Sequence, residues 1–165
     1  GALYIRRKNP RVHLKPLLFG GGHEKNIRPG TLNVPGIVGM GAAAALAQTN
    51  LTAQMQHLNH LLHYFEDALH QLPVQINGNK VPRLPNTSSV TFTDTTATQL
   101  YKALPQIGVA NGSACTSALQ QPSHVLQAMG LTADLAQTTL RFSFGVPTTI
   151  QQLNDVICLI KKMYA

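Results

Sequence analysis

The chain has 165 residues, 44% of them hydrophobic, with two cysteines and no tryptophan; this is the composition of a globular domain with a core and excludes a disordered chain. Thirteen basic residues against six acidic ones leave a formal net charge of +7, which favours acidic or phosphate-bearing partners. The basic residues gather at Arg6, Arg7, Lys8, Arg11 and Lys15 without an interleaved aromatic surface, so they read as a solvated edge and no nucleic-acid partner is expected.

In chain order, "ALYI" (Ala2–Ile5) predicts a short strand with no lead-in, as in a chain cut from something longer. The opening "GALYIRRKNPR" places charge after the apolar residues, the reverse of a secretory signal. Leu17–Gly36 is rich in Gly and Pro and predicts a long irregular loop, a class of segment that is usually functional or linking. "GIVGMGAAAALA" (Gly36–Ala47) is too short and too rich in Ala and Gly for a membrane span. Apolar residues then recur at Leu51, Met55, Leu58, Leu62, Phe65, Leu69 and Leu72, alternating steps of four and three that define a helix seam. One long or kinked helix from about Val34 to Gln71 follows, ended by Pro73. His57, His60, His63 and His70 lie mostly off the seam and lack a third ligand, so no metal site is expected.

"VQINGN" (Val74–Asn79) predicts a strand and turn, and "NTSSVTF" (Asn86–Phe92) a β-rich strand. Ala97–Leu104 predicts a short helix and Ile107–Ala110 a strand. Pro122–Gly130 predicts a helix with Pro122 in its first turn and Gly130 as its C-terminal cap. Thr138–Phe144 is the next strand. A last helix starts near Thr148, with Gln151 completing a capping box; its seam is Ile150, Leu153, Ile157 and Ile160. The sum is an α/β layer without internal repeats.

Three segments carry candidate chemistry. Arg28–Asn33, "RPGTLN", contains a glycine and a threonine ahead of a helix. Gly112–Ser117, "GSACTS", sets Cys115 among small residues, where a thiol can be reached or can move. Leu140–Gly145, "LRFSFG", places Arg141 between two apolar neighbours. Each has a plain alternative: a turn, a small loop residue, the polar side of an edge strand. Cys158 lies on the last helix beside Ile157 and Leu159 and reads as a packed or inert thiol. Two cysteines build no disulfide framework and point to a reducing compartment, here the cytoplasm.

Together "GALYIRR", "GGGHEKNIRPGTLNVPGIVGMGAA", the cysteine segment, "PSHVLQAMG" and "LRFSFGVPTT" resemble the C-terminal part of cysteine desulfurases. These are class V, aminotransferase-like enzymes dependent on pyridoxal 5'-phosphate. The resemblance is to their housekeeping iron–sulfur and nitrogen-fixation branch and covers essentially the whole chain. Asn111 stands where that branch usually has a serine.

The resemblance implies an α/β fold: the small C-terminal domain of a fold type I enzyme plus the end of its large domain, with helices on a small mixed sheet. It divides the chain into residues 1–35, the end of the cofactor domain with its phosphate-contact loop; 36–72, a connecting helix; and 73–165, the small domain with the cysteine loop. Cys115 is implied as the nucleophile that takes sulfur from L-cysteine, leaves alanine and carries a persulfide, because thiolate is the reactive species. Arg141 is implied as the clamp on the substrate carboxylate, since a planar guanidinium grips a carboxylate bidentately. Thr31, with Gly30 and Arg28, is implied to contact the cofactor phosphate of the neighbouring subunit of a homodimer.

The persulfide would pass to a sulfur acceptor or iron–sulfur scaffold protein. The family's Schiff-base lysine motif is not among these residues, so a missing N-terminal half is an expected partner and the isolated chain is expected to be inactive. Alternatives are a selenocysteine lyase, another class V enzyme portion, or a non-catalytic basic binding module.

Overall fold

The computed structural model describes residues 1–110 and 122–165. They divide into two compact units, Gly1–Leu51 and Thr52–Ala165, with the division falling inside helix α1 (Val34–Leu69). That helix ends within two residues of the expected position. Asn33 starts it: its Oδ1 accepts the Gly36 N–H at 3.1 Å and its carbonyl accepts the Ile37 N–H at 3.0 Å. A Cβ on Gly36 would lie 2.9 Å from Asn33 Nδ2, so the glycine lets the cap close. The apolar seam is buried only in its later part: Leu62, Phe65 and Leu69 are buried, with Leu61 beside them, whereas Leu51 and Met55 are exposed.

The second unit carries a three-stranded sheet of β1 (Val74–Asn77), β2 (Thr87–Phe92) and β3 (Thr139–Ser143), in that order. Both pairings are antiparallel, so among the described residues the sheet is antiparallel and not the mixed one expected. The reason lies in the connections. β1 and β2 form a hairpin whose turn begins at Gly78, with φ of +72°. The β2–β3 connection carries α2 (Ala97–Ala103), α3 (His124–Ala128) and α4 (Ala133–Gln137) and returns to the end where β2 stops: the Phe92 N–H bonds the Thr138 carbonyl at 3.0 Å. A chain re-entering there runs antiparallel.

Alternation along the strands gives the sheet two faces. Val90, Phe92, Leu140 and Phe142 pack into one core with Phe65 and Leu69 of α1, Leu100 of α2, and Leu153, Ile157 and Ile160 of α5 (Ile150–Met163). Phe65 lies at its centre, with its ring centroid 4.9 Å from that of Phe142 and 5.4 Å from that of Phe144, tilted and edge-on geometries that aromatic rings favour. At the margin, the Glu66 carboxylate accepts two bonds from Arg83, at 2.7 and 2.5 Å, and one from the Ser88 hydroxyl at 2.6 Å. Hydrogen bonding to Glu66 raises the Arg83 pKa against the opposing effect of burial.

The opposite face is polar. The Thr139 hydroxyl donates to the Leu135 carbonyl at 2.7 Å, so it must accept from Thr91 at 2.8 Å; Thr91 in turn accepts from Asn77 Nδ2 at 2.8 Å. One hydrogen-bond direction thus runs across all three strands, satisfying three buried polar side chains.

Several local expectations change. Ala2–Ile5 forms no strand; strand propensity cannot supply a ladder partner, and the backbone there has none among the described residues. Of Ile107–Ala110 only Ala110 pairs, as a single bridge; Gly108 brings no side chain to pack. Pro122 lies outside α3 because Ser123 is its cap, whereas Gly130, at φ +97°, ends the helix as expected, with Leu131 N–H bonded to Leu126 O and Gly130 N–H to Gln127 O. The capping box of α5 sits one residue later than expected, on Thr149 and Gln152. Helix α4, capped by Thr132, was not anticipated; five residues are too few to show a period.

Candidate functional site

In the first unit the segment before α1 is shaped by its backbone. Glu24, Lys25 and Asn26 all have positive φ, 49°, 58° and 64°, a left-handed run that is uncommon for residues other than glycine and asparagine. It turns the chain into Arg28–Thr31. Gly30 has φ of +103°, a value that L side chains rarely adopt, so glycine is required there. The Arg28 side chain folds back on this turn: Nη1 donates to the Gly30 carbonyl at 3.0 Å and to the Thr31 carbonyl at 3.3 Å. Arg28, Gly30 and Thr31 are therefore one cluster. One contributor escaped sequence reasoning: Asn33, the cap of α1. An asparagine directly before an apolar-periodic run was the available signal for Asn33.

In the second unit Arg141 sits on the polar face of β3, exposed between buried Leu140 and Phe142. Ser89 lies directly opposite it on β2. No hydrogen bond or ion pair holds its guanidinium among the described residues. Its backbone is well held: on the side away from β2 the Arg141 N–H donates to the Ala110 carbonyl at 2.7 Å, and the Ala110 N–H to the Arg141 carbonyl at 3.5 Å. The chain position five residues before Cys115 is thus stitched to the residue carrying the guanidinium. Cys115 itself lies outside the described residues. Cys158 is exposed; it stands on the side of α5 away from Leu153, Ile157 and Ile160, which corrects the expectation of a packed thiol. Among the described residues no group of three or more His, Cys, Asp or Glu could hold a metal ion, and no helix is long and apolar enough to cross a membrane.

The family model described as aminotransferase class-V matches residues 1–156. The chain belongs to the aminotransferase class-V family. Within it, the chain is 41% identical over 162 residues to the cysteine desulfurase IscS of Rickettsia bellii, covering 97% of this chain and 39% of that protein. It is 44% identical over 163 residues to the cysteine desulfurase IscS of Anaeromyxobacter sp., covering 97% and 40%. Among solved structures, the NifS-like protein of Rickettsia africae superposes with a TM-score of 0.76 at 31% identity, covering 93% of this chain and 41% of that one. The chain thus spans about two fifths of the length of the curated relatives it matches, and is similar to a cysteine desulfurase portion.

Class-V enzymes depend in general on pyridoxal phosphate. The donor set of the Arg28–Leu32 turn suits a phosphate. The Thr31 hydroxyl and the N–H groups of Thr31 and Leu32 have no partner among the described residues. They stand at the N-terminus of a 36-residue helix, whose dipole favours an anion.

Proposed function

We propose that this chain is the C-terminal portion of a cysteine desulfurase that works as a cytoplasmic homodimer and delivers sulfur to an acceptor or iron–sulfur scaffold protein. The observation that carries the reading is the similarity to IscS over nearly the whole chain; the same names favour cysteine over selenocysteine as substrate. Residues 1–35 close the cofactor domain, 36–72 connect, and 73–165 make the small domain. Bound pyridoxal phosphate supplies the electron withdrawal that weakens the substrate's carbon–sulfur bond. The remaining tasks fall to the chain's own residues. Arg141 clamps the substrate carboxylate and orients the amino acid. The Cys115 thiolate attacks the substrate sulfur, forming a sulfur–sulfur bond as the carbon–sulfur bond breaks. The released electron pair stays with carbon, which takes up a proton to give alanine. Thr31 and Gly30 hold the cofactor phosphate of the neighbouring subunit.

In the complete enzyme, this chain together with the lysine-bearing remainder, alanine is expected from cysteine in equal amount to the sulfur transferred. The isolated chain is expected to give neither alanine nor a borohydride-reducible cofactor adduct on any of its lysines, measured by amino-acid analysis and intact mass. Alanine from the complete enzyme only with selenocysteine would replace the reading by a selenocysteine lyase, and none from either substrate would end it.

A further inference from the structure

We infer that Ser89 is a second substrate-binding residue: its hydroxyl donates a hydrogen bond to the same carboxylate that Arg141 grips. The inference rests on the clamp reading above and deepens it by naming a further contact. Asn77, Ser89 and Arg141 form one row across the sheet, each directly opposite the next. The row opens toward Arg141: Asn77 is buried, Ser89 half-buried and Arg141 exposed. The Arg141 N–H and carbonyl both bond Ala110, on the side away from β2. Arg141 and Ser89 are therefore a non-hydrogen-bonded pair, the arrangement that brings opposite side chains closest. Their Cβ atoms are then about 4.5–5.5 Å apart. A carboxylate that accepts from both side chains separates the two donor atoms by roughly 5 Å, a span this pair can provide.

The hydrogen bonds behind Ser89 make it a donor. Thr139 spends its hydroxyl hydrogen on the Leu135 carbonyl, and Thr91 spends its own on Thr139. The Asn77 group that faces Thr91 must therefore be a donor, which fixes the amide with Nδ2 toward β2 and leaves Oδ1 to accept from Gln75 Nε2 at 3.3 Å. The second Nδ2 hydrogen goes to Ser89 Oγ at 3.2 Å. Ser89 thus meets an N–H on its β1 side. Its own hydrogen is left for the β3 side, where Arg141 stands, and no group among the described residues accepts it. Accepting the amide N–H also makes the hydroxyl a stronger donor. A guanidinium and a hydroxyl with its hydrogen free call for an acceptor between them. A carboxylate offers about four acceptor sites, of which a bidentate arginine takes two, so the serine does not compete with the clamp.

The test uses the complete enzyme, this chain together with the lysine-bearing remainder, carrying Ser89→Ala, Ser89→Thr, Arg141→Ala or the Ser89→Ala/Arg141→Ala double substitution. KM and kcat are measured with L-cysteine. Affinity is measured from the cofactor absorbance for L-alanine and for ethylamine, the same amine without the carboxylate. Loss of one hydrogen bond to a charged group predicts that Ser89→Ala raises the KM for cysteine and weakens alanine, each roughly tenfold. It should change kcat far less, because the carboxylate is held alike before and during the reaction, and should leave ethylamine unchanged. Ser89→Thr, which keeps the hydroxyl, should recover part of the loss.

The double substitution should weaken alanine little more than Arg141→Ala alone, because a carboxylate that has lost the guanidinium no longer rests beside the hydroxyl. Full multiplication of the two single effects would mean that the side chains serve separate groups and would overturn the inference. So would an equal loss of ethylamine affinity in Ser89→Ala, the mark of a merely structural role. If Arg141→Ala weakens alanine and Ser89→Ala does not, the role of Ser89 falls and the clamp stands; if Arg141→Ala leaves alanine unchanged, the clamp itself falls.

Discussion

Replacing Cys115 by serine in the complete enzyme is expected to abolish persulfide formation while cofactor binding stays intact. Serine keeps the size and polarity of the side chain but removes the sulfur nucleophile. A hydroxyl is hardly ionised at neutral pH, whereas a thiol near its ordinary pKa of about 8.5 is partly thiolate. The cofactor-holding residues proposed here, Thr31 and Gly30, are remote in sequence from Cys115, so the cofactor's absorbance should not change. Cys158→Ser is the matched control. Because Cys158 is exposed on α5, access alone does not separate the two thiols, and labelling by a thiol reagent is expected on both. Persulfide is expected on Cys115 alone, located by mass spectrometry of peptides after a single turnover with cysteine. Persulfide on Cys158, or its survival in Cys115→Ser, would remove Cys115 from the reaction.

Arg141→Ala is expected to weaken cysteine binding by about 2–3 kcal/mol, roughly 30- to 150-fold, the order for losing a charge-assisted pair. The structure allows this to be separated from a folding defect. Arg141 is exposed, and its side chain holds no other group among the described residues. Its backbone bonds to Ala110 do not depend on the side chain. Stability should therefore stay within about 0.5 kcal/mol of wild type, read from denaturant midpoints. Glu66→Ala gives the contrast: it leaves Arg83 and Ser88 without their partner, so it should destabilise the protein without touching the substrate. Arg141→Lys should recover only part of the binding, since an ammonium keeps the charge and loses the two-pronged grip. Unchanged kinetics for Arg141→Ala would end its assignment as the clamp.

What could be read from the sequence follows physical range. The long helix, β1, β2, β3 and α5 are all marked by periodicity sustained over enough residues, or by β-branched runs next to turn residues, and they lie within one or two residues of expectation. Elements that depend on a partner elsewhere were not legible. Ala2–Ile5 has the composition of a strand but no ladder among the described residues, and the antiparallel return of β3 is set by where the connection that carries α2, α3 and α4 delivers the chain. The capping box of α5 was misplaced by one residue because Thr148 and Thr149 are adjacent and each is followed by a glutamine three residues on. At the candidate site, the types of residue were legible and the bonds were not: nothing in "RPGTLN" tells that Arg28 closes on two carbonyls two and three residues away. Likewise, exposure of Cys158 depends on which side of α5 meets the sheet.

The placement of the apolar side chains has a thermodynamic consequence. Every buried hydrophobic residue among those described lies between Leu61 and Ile160, in the second unit; the first unit holds none. The heat-capacity increment of unfolding measures apolar surface newly hydrated. For a uniformly folded chain of this length it would be about 2.0–2.5 kcal/mol/K, and for the second unit alone about 1.4–1.7. Calorimetry of the chain should thus register a protein shorter than its sequence, with a stability curve flatter than 165 residues would give.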